Sequence, residues 1–353
     1  MIAVLFFSKP PGGMYEYGKL ISEGYKSNNR KALLLSYFGA RFDHFLQLIK
    51  LILGLKSEVE KWFYINNLHK SDIIHFTDTP LYTVFLINKV YIRNTIYIIT
   101  IHDPELHPRK GIKDKIRYFM AFLLNTQLLK LSKKRENIHI HLHSKNQTPS
   151  EKSNYIFSKH PISNNFSSYK GITKLDEGDL ISFLFIGSLQ YYKGIDIFIE
   201  SIKSFKQQHD FKCNFTIAGS GKLNISNDIK KKITVINKFL SDEEFIDLLK
   251  KTHIVVFPYR QATQSGVLSQ ALSLNKPVII SNAGNLPEYI VNRKTGILLE
   301  NLSAHNLVDT YKEFINSPDL ITEMSKNTYK HKEQFYSKET VKILLDQIKS
   351  INQ

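Results

Sequence analysis

Two predicted strands of this chain end in polar side chains that are able to bind a ligand or carry a proton. SDIIHFTDT (residues 71–79) contains His75 and Asp78, and NTIYIITIHDP (residues 94–104) ends in His102 and Asp103. In open α/β sheets, ligands bind beyond the carboxyl ends of the strands. A histidine there can carry a proton near neutral pH. We therefore expect these strand ends to border a ligand site, with a structural role for the histidines as the alternative.

A lysine that follows a glycine-bearing strand end indicates a site for an anion. In FIGSLQYYKG (residues 185–194), Gly187 ends a predicted strand, and Lys193 and Gly194 precede a predicted helix. An ammonium group and the free N–H groups of a helix N-terminus suit a diphosphate. A solvated surface lysine is the alternative. The turn IAGSGK (residues 217–222) is a second strand end, where the glycines allow a tight turn or the close approach of a ligand.

The sequence gives little support for a metal ion or a reactive thiol. His139, His141 and His143 alternate along a predicted strand and so share one face, but no carboxylate or cysteine lies nearby at ligand spacing. The single cysteine, Cys213, lies in an apolar stretch, where we expect a buried, inert thiol. We therefore expect no metal and no other cofactor, and a reducing compartment, most simply the cytoplasm.

The order of the predicted elements is typical of two doubly wound α/β domains. IAVLFFS (residues 2–8), a glycine loop, a helix and a second strand open the chain, and residues 43–66 form a predicted helical stretch. A similar series begins after residue 180, with a predicted strand at residues 181–188 and a predicted helix at residues 242–251 among its elements. Residues 149–177 are rich in Ser, Asn, Lys and Pro, and we expect them to form a linker. The 353 residues therefore divide into residues 1–165, completed by residues 335–353, and residues 173–334.

Positive charge is concentrated in the first half of the chain. Residues 1–170 hold 25 Lys/Arg against 12 Asp/Glu, which accounts for +13 of the net charge of +16. Residues 113–134 form a predicted helix with basic flanks. Its apolar face consists of Ile116, Phe119, Met120, Leu123, Leu124, Leu128 and Leu131. Such a helix fits an anionic membrane surface, although a core-facing helix with solvated charges is the alternative.

Other partners and locations are not favoured by the sequence. The chain contains no helix-turn-helix, zinc or RNP-type motif, so we expect no nucleic acid partner. Met1 leads directly into IAVLFF without a basic leader. No apolar run reaches the roughly 18 to 20 residues that a membrane-spanning helix needs. We therefore expect a cytoplasmic protein that binds peripherally to the inner face of the cell membrane.

FPYRQATQSGVLSQALSLNKPVIISNAGNLPEYIVNRKTGILL (residues 257–299) completes an ordered series of motifs. The series begins with Gly187 and Lys193-Gly194, and continues through the AGSG turn and the loop at Phe239-Leu240. Over roughly residues 182–299 it resembles the retaining, metal-independent glycosyltransferases of family 4. This resemblance implies a GT-B fold, in which two Rossmann-like domains face a central cleft and a C-terminal helix crosses back to the first domain.

The resemblance also implies roles for individual residues. His102 and Asp103 match the family's HD motif, in which the histidine lies beside the reacting sugar, so they are the candidate catalytic residues. The glycines of PPGGMYEYG resemble the loop that closes over the donor phosphates. The implied donor-binding residues are Gly12, Gly13, Gly187, Ser188, Lys193, Phe239, Leu240, Gln264, Ser265, Gly266, Val267 and Gln270. Among these, Phe239 and Leu240 would border the base, and Gln270 would meet the ribose hydroxyls.

The chain departs from the family's usual pattern at three positions. Ala262 and Gln270 stand where two glutamates are usual, and Ser188 stands where an arginine is frequent. Gln270 still offers hydrogen bonds to a ribose, whereas Ala262 offers none to a sugar, so that Gln261, Thr263 or Gln264 would have to replace it.

The resemblance implies a retaining glycosyltransferase that moves a sugar from a nucleotide-diphosphate sugar to a glycan or lipid-linked acceptor, in bacterial surface polysaccharide or glycolipid synthesis. The Lys-, Ile- and Asn-heavy composition suits an AT-rich bacterial genome. Two alternatives stay open. One is a sugar-nucleotide epimerase or hydrolase of the same fold, and the other is a non-catalytic homologue that binds nucleotide sugars.

Overall fold

The chain forms two compact units, Met1–Asn164 with Phe335–Gln353, and Asn165–Gln334. The computed structural model describes residues 1–7, 13–37, 41–80, 82–102, 112–145, 154–162, 169–176, 178–208, 213–262 and 265–351.

The first unit contains a six-stranded parallel sheet with helices packed around it. Its strands are β1 (Ile2–Phe6), β2 (Ala32–Ser36), β3 (Ile73–Phe76), β4 (Ile96–Thr100), β5 (Ile138–Leu142) and β6 (Tyr155–Phe157). They lie in the order β2-β1-β3-β4-β5-β6. Its helices are α1 (Gly13–Ser27), α2 (Arg41–Ile52), α3 (Glu58–Ile65), α4 (Thr83–Val90), α5 (Ile112–Lys134) and the last helix of the chain, α12 (Ser337–Ile351).

Apolar periodicity explains the core of this unit. Every residue of β1 and β5 is buried, as expected of parallel strands that are covered on both faces. Helix α1 buries Tyr17, Ile21 and Tyr25, which follow each other at a spacing of four residues and so share one helix face. Helix α12 packs against α1 and adds Val341, Leu344 and Ile348 to the same core. The C-terminal helix therefore belongs to the first unit.

Two segments of the first unit differ from their prediction. Residues 149–177, predicted as a linker, contain β6, which pairs in parallel with β5 and forms the edge of the sheet. A strand of three residues is too short to show a period, which is why composition misled us. The predicted helical stretch at residues 43–66 is divided into two helices, α2 and α3. Gly54, with a φ of 70°, ends the first, and Ser57 caps the second by accepting a hydrogen bond from the Glu60 N–H.

The second unit repeats the plan with a second six-stranded parallel sheet. Its strands are β7 (Ile181–Ile186), β8 (Cys213–Ala218), β9 (Thr234–Ile236), β10 (Ile254–Phe257), β11 (Val278–Ser281) and β12 (Gly296–Leu299), in the order β12-β11-β10-β7-β8-β9. Its helices are α6 (Ile195–Gln208), α7 (Asn227–Lys230), α8 (Asp242–Lys251), α9 (Gly266–Ser273), α10 (Ala304–Asn316) and α11 (Asp319–His331).

Aromatic packing and helix caps stabilise the second unit. The ring of Tyr311 lies 4.6 Å from that of Phe183 and 5.2 Å from that of Phe215, and Ser201 hydrogen-bonds its hydroxyl group. Helix α8 has the predicted bounds and begins with a capping box, in which Ser241 and Glu244 satisfy each other's backbone N–H groups. Cys213 is buried, and burial raises the pKa of its thiol to about 11, as expected of an inert thiol.

Among the helices that the structure describes, none combines the length and the apolar character required to cross a bilayer.

Candidate functional site

The carboxyl edge of the second sheet brings three of the predicted residues together. Gly187 directly follows β7 and has a φ of +119°, a backbone conformation that favours glycine. A Cβ atom built on Gly187 would lie 3.2 Å from Lys193 Nζ and 3.6 Å from Val267 Cγ2. Lys193 and Val267 are six and eighty positions away in the chain. The strand end, the lysine and the start of α9 therefore form one site.

Lys193 lies at the end of a 3₁₀ turn, Tyr191–Lys193, that leads into α6. Its Nζ atom is 5.2 Å from the centre of the Tyr259 ring. Burial lowers the pKa of Lys193, but the neighbouring Tyr259 and Tyr192 outweigh burial and raise it above its ordinary value, so the ammonium is charged at neutral pH. Within the described parts of the chain, Lys193 has no carboxylate at ion-pair distance. A partly buried cation without a counter-ion is a suitable partner for an anionic ligand.

The turn that carries Lys193 is held by the loop after β10. Gly194 has a φ of +71°, and a Cβ atom there would lie 1.8 Å from the Pro258 carbonyl oxygen, so only glycine permits this approach. The Arg260 guanidinium donates to both Asp196 carboxylate oxygens at 2.7 and 2.6 Å, and to the Tyr191 carbonyl oxygen at 2.7 Å. Burial opposes ionisation of Asp196, but Arg260 holds its pKa below the usual range.

Neither Arg260 nor Asp196 was predicted from the sequence. Sixty-four positions separate the two residues in the chain. The predicted motifs lie beside them: Lys193-Gly194 precedes Asp196, and Pro258 precedes Arg260. An acidic residue in the first turn of α6 was the available signal.

Helix α9 directs its N-terminus to this edge of the sheet. Ser265 is the N-cap, and its hydroxyl oxygen accepts a hydrogen bond from the Leu268 N–H at 3.2 Å. The N–H groups of Gly266 and Val267 are among the first of the helix and so have no acceptor within it. With the positive end of the helix dipole, they favour an anion beside Lys193.

The structure also describes most of the other donor residues predicted in the second unit. Phe239 and Leu240 follow β9, and the Phe239 ring is 82% exposed, which leaves its face available for stacking. Gln270 is exposed on α9, and Ser188 is half-buried after Gly187. Gln264 lies outside the described residues.

The structure locates the alanine that replaces a glutamate of the family. Ala262 is 6% exposed. A Cβ atom built on Gly284 would lie 1.6 Å from the Ala262 carbonyl oxygen. Ala262 therefore packs against the loop that follows β11. No side-chain oxygen is therefore available at this position.

In the first unit, His102 lies at the carboxyl end of β4, close to the start of α1. The Tyr17 ring stands perpendicular to the His102 ring at 4.6 Å, and Tyr17 lies one helical turn after Gly13. His102 Nε2 is 2.8 Å from the Thr77 carbonyl oxygen, and His102 Nδ1 is 3.3 Å from His143 Nε2. The structure therefore places His102 against Tyr17 of α1, the helix that begins at Gly13, while Gly12 and Asp103 lie outside the described residues.

His102 belongs to a histidine cluster that the sequence analysis did not predict. Its members are His75, His102, His141, His143 and His160. Burial is the main cause that lowers the pKa of four of them, to about 3 for His141 and about 4 for His160. Among the described residues, no group of three or more His, Cys, Asp or Glu side chains is placed to hold a metal ion.

The apolar face predicted for α5 is divided in the structure. Leu124, Leu128 and Leu131 are buried in the core, whereas Phe119, Phe122 and Leu123 are exposed. Helix α4 contacts both α2 and α5. Their exposed apolar residues, which we call the α2–α4–α5 surface, are Leu46, Ile49, Ile52, Phe85, Phe119, Phe122 and Leu123. Lys130, Lys133 and Lys134, further along α5, are also exposed.

Comparison with known families gives a match in the second unit. Residues 168–331 match the family described as Glycosyl transferases group 1.

Two similar proteins are also named as glycosyltransferases. An uncharacterized glycosyltransferase of Methanocaldococcus jannaschii, MJ1178, is 29% identical over 175 residues, which cover 47% of this chain and 48% of that protein. The chain thus matches about half the length of this relative. The capsular polysaccharide biosynthesis glycosyltransferase CapM of Staphylococcus aureus is 24% identical over 264 residues, which cover 70% of this chain and 68% of CapM.

Solved structures confirm the fold class. A glycosyltransferase from Rickettsia africae aligns with a TM-score of 0.69 at 15% identity and covers 100% of this chain and 98% of its own. Anabaena Alr3699/HepE in complex with UDP aligns with a TM-score of 0.68 at 14% identity, over 99% of each chain. The chain therefore has the two-domain α/β architecture of the GT-B glycosyltransferases, as the sequence predicts.

Proposed function

We propose that the protein is a retaining, metal-independent glycosyltransferase of the family 4 type, which moves a sugar from a nucleotide-diphosphate sugar to a glycan or lipid-linked acceptor. One observation carries the proposal. Gly187, Lys193 and the N-terminus of α9 converge at the carboxyl edge of the second sheet and offer a cation and free N–H groups to the same small volume.

The donor would bind along this edge. The N–H groups of Gly266 and Val267 and the ammonium of Lys193 would hold the diphosphate, and the exposed Phe239 ring would border the base. Gln270 would meet the ribose. During transfer the nucleoside diphosphate leaves with its negative charge, and the same groups stabilise that charge, which is the part a metal plays in other transferases. The absence of a side-chain oxygen at Ala262 means that a neighbouring residue contacts the sugar.

His102 and Gly13 would act on the transferred sugar from the first unit. In the described conformation, His102 Nε2 is engaged with the Thr77 carbonyl oxygen. A hydrogen bond from Nε2 to a sugar hydroxyl would therefore replace that contact, and His143 would hold the other side of the ring.

We propose that the first unit docks on the inner face of the cell membrane, where a lipid-linked acceptor of bacterial polysaccharide or glycolipid synthesis is available. The α2–α4–α5 surface combines exposed apolar side chains with Lys130, Lys133 and Lys134, in the half of the chain that holds most of the net charge. CapM, a relative, is named for capsular polysaccharide biosynthesis. Flotation with anionic liposomes tests this point: Phe119→Asp and Phe122→Asp should each reduce binding, and equal partition of the wild type into neutral vesicles would contradict it.

Donor binding and turnover separate the proposal from its rivals. UDP-, GDP- and dTDP-sugars should be screened for thermal stabilisation, and membrane extracts should then be supplied with the donor that binds. A new glycoconjugate is expected. Release of a free or epimerised sugar without any acceptor would identify a hydrolase or an epimerase, and donor binding without turnover would identify a binding homologue.

A further inference from the structure

Tyr259 carries a buried hydroxyl group that the fold does not use. The residue lies in the loop after β10 and is 2% exposed. Among the residues that the structure describes, no group lies in hydrogen-bonding geometry with its hydroxyl oxygen. A buried hydroxyl group without a partner destabilises the folded state, and native structures contain few such groups. The presence of this hydroxyl group therefore has to be explained by something other than the stability of the fold.

Tyr311, a tyrosine buried as deeply in the same unit, shows the usual arrangement. Its hydroxyl group lies 3.0 Å from the Ser201 hydroxyl oxygen. The Ser201 hydroxyl group donates to the Phe198 carbonyl oxygen at 2.8 Å, so Tyr311 is the donor in its contact with Ser201. The Tyr311 hydroxyl group thus contributes a hydrogen bond to the fold, whereas that of Tyr259 does not.

The position of the Tyr259 ring is fixed without the hydroxyl group. The Ser281 hydroxyl group of β11 donates to the Tyr259 carbonyl oxygen. The N–H of the next residue, Arg260, donates to the Tyr192 carbonyl oxygen at 2.7 Å. The Phe257 ring lies 5.7 Å from the Tyr259 ring at an angle of 77°. Backbone hydrogen bonds and ring packing therefore hold this side chain in place, and its hydroxyl group is left to act on a neighbour.

The neighbour on which Tyr259 acts is Lys193, whose Nζ atom lies 5.2 Å from the centre of the Tyr259 ring. Burial lowers the pKa of Lys193, and Tyr259, together with Tyr192, outweighs burial and raises it. An ammonium group only donates hydrogen bonds, so the Tyr259 hydroxyl oxygen acts towards it as an acceptor. A tyrosine carries no charge at neutral pH. It therefore holds an ammonium group without cancelling the positive charge, as a carboxylate would.

Lys193 needs such a partner to stay at the edge of the sheet. A lysine side chain has a flexible stem of four carbons, and its rotamer freedom opposes a fixed position. A Cβ atom built on Gly187 would lie 3.2 Å from Lys193 Nζ, so the glycine leaves space beside the ammonium and restrains it little. The ring face and the hydroxyl group of Tyr259 supply the restraint.

We propose that Tyr259 is a positioning residue of the donor site: its ring and hydroxyl group hold the Lys193 ammonium beside Gly187, where the diphosphate of the donor binds. The inference rests on the proposed function. It assigns the Tyr259 hydroxyl group to ligand binding and not to the fold, so that its removal affects binding and stability differently.

Tyr259→Phe tests this assignment, because it keeps the ring and removes only the hydroxyl group. No hydrogen bond of the fold is lost, so Tm should equal or exceed that of the wild type. Among UDP, GDP and dTDP, the diphosphate that binds the wild type should bind the variant about 2- to 10-fold more weakly, as expected for the loss of one hydrogen bond. Calorimetric melting and titration measure the two quantities.

Tyr311→Phe is the matched control and should show the reverse pattern. It removes the hydroxyl group that donates to Ser201, so its Tm should fall. Tyr311 lies in the core of the second unit, packed against Phe183 and Phe215, so the Kd of the diphosphate should stay at the wild-type value.

The ionisation of Lys193 tests the contact without any ligand. Carbon-13 labels at the lysine ε-carbons allow an NMR titration of each ammonium group, and Lys193→Met identifies the signal of Lys193. The pKa of Lys193 should be lower in Tyr259→Phe than in the wild type, because burial is then less strongly opposed. It should be unchanged in Tyr311→Phe.

A Tm of Tyr259→Phe as low as that of Tyr311→Phe would overturn the inference, since the hydroxyl group would then serve the fold. A wild-type Kd in Tyr259→Phe, or an unchanged pKa of Lys193, would overturn it as well. In each case the proposed function stands, because the wild type still binds a nucleoside diphosphate. A wild type that binds none of the three diphosphates would overturn the proposed function and, with it, the role of Tyr259 in donor binding.

Discussion

Replacing Gly187 with alanine tests the donor site at the place where the strand end, the lysine and helix α9 meet. The new Cβ atom would lie 3.2 Å from Lys193 Nζ and 3.6 Å from Val267 Cγ2. It would enter the volume that we assign to the diphosphate. Gly178 provides a matched control in the same unit, because its φ of +87° also favours glycine and no described atom lies within 4 Å of a Cβ atom there.

The two substitutions should cost similar amounts of stability. An alanine in a left-handed or more extended positive-φ conformation costs roughly 1–2 kcal/mol. The contact with Lys193 adds little, since the end of a lysine side chain moves easily. Because 1 kcal/mol shifts Tm by about 2–4 °C in a domain of this size, both variants should melt about 2–8 °C below the wild type.

Their effects on ligand binding should differ. A hydrogen bond to a charged group contributes about 1.5–3 kcal/mol, so moving Lys193 away from the diphosphate should weaken UDP binding about 10- to 100-fold in Gly187→Ala. Gly178→Ala should bind UDP as the wild type does. Calorimetric melting and titration of both variants measure the two quantities. Wild-type affinity in Gly187→Ala, or an equal loss in Gly178→Ala, would refute the assignment of the site.

Two other predictions concern stability and positioning. In the unfolded chain, His141 and His160 take up protons below about pH 6.5. In the folded protein, burial holds their pKa values at about 3 and about 4. Their contribution to the free energy of unfolding is therefore fully present above about pH 6.5 and is lost as the pH falls. At pH 5 the loss in the free energy of unfolding amounts to about 4 kcal/mol. Urea unfolding, followed by the fluorescence of Trp62, should therefore have a lower midpoint at pH 5; Trp62 is the single tryptophan and belongs to the first unit. An unchanged midpoint would contradict the burial of these rings. Arg260→Met should change Tm little, because exposed ion pairs contribute at most about 1 kcal/mol, but it should weaken UDP binding several-fold by releasing the turn that carries Lys193. Arg293→Met, which removes a comparable ion pair with no contact to that turn, should leave UDP binding unchanged.

Elements with a strong local pattern could be predicted from the sequence. The apolar runs of β1 and β7 and the bounds of α8 could be predicted because burial and helical periodicity show within a few residues. Strand β6 was missed because three residues in a polar segment show no period. The apolar face of α5 was predicted as one surface, but helical spacing alone does not tell which part of a face a neighbouring sheet covers.

The candidate site was predictable in part for a similar reason. Gly187, Lys193 and Val267 belong to recognisable motifs, although their convergence depends on the order of strands β7 and β10 in the sheet. The Arg260–Asp196 pair and the His102–His143 pair depend on contacts between distant segments. The alternation of His141, on β5, and His143, directly after it, was visible in the sequence. Their hydrogen-bond partners, Thr100 and Ser158, are set by strand register.

Calorimetric titration of the wild type and Lys193→Met with UDP, GDP and dTDP tests the central claim most directly. At least one of the three diphosphates should bind the wild type and bind Lys193→Met about 10- to 100-fold more weakly, since the variant keeps the length of the side chain and removes its charge. Wild-type affinity in Lys193→Met, or no binding of any of the three to the wild type, would contradict a nucleotide-diphosphate site at the edge of the second sheet.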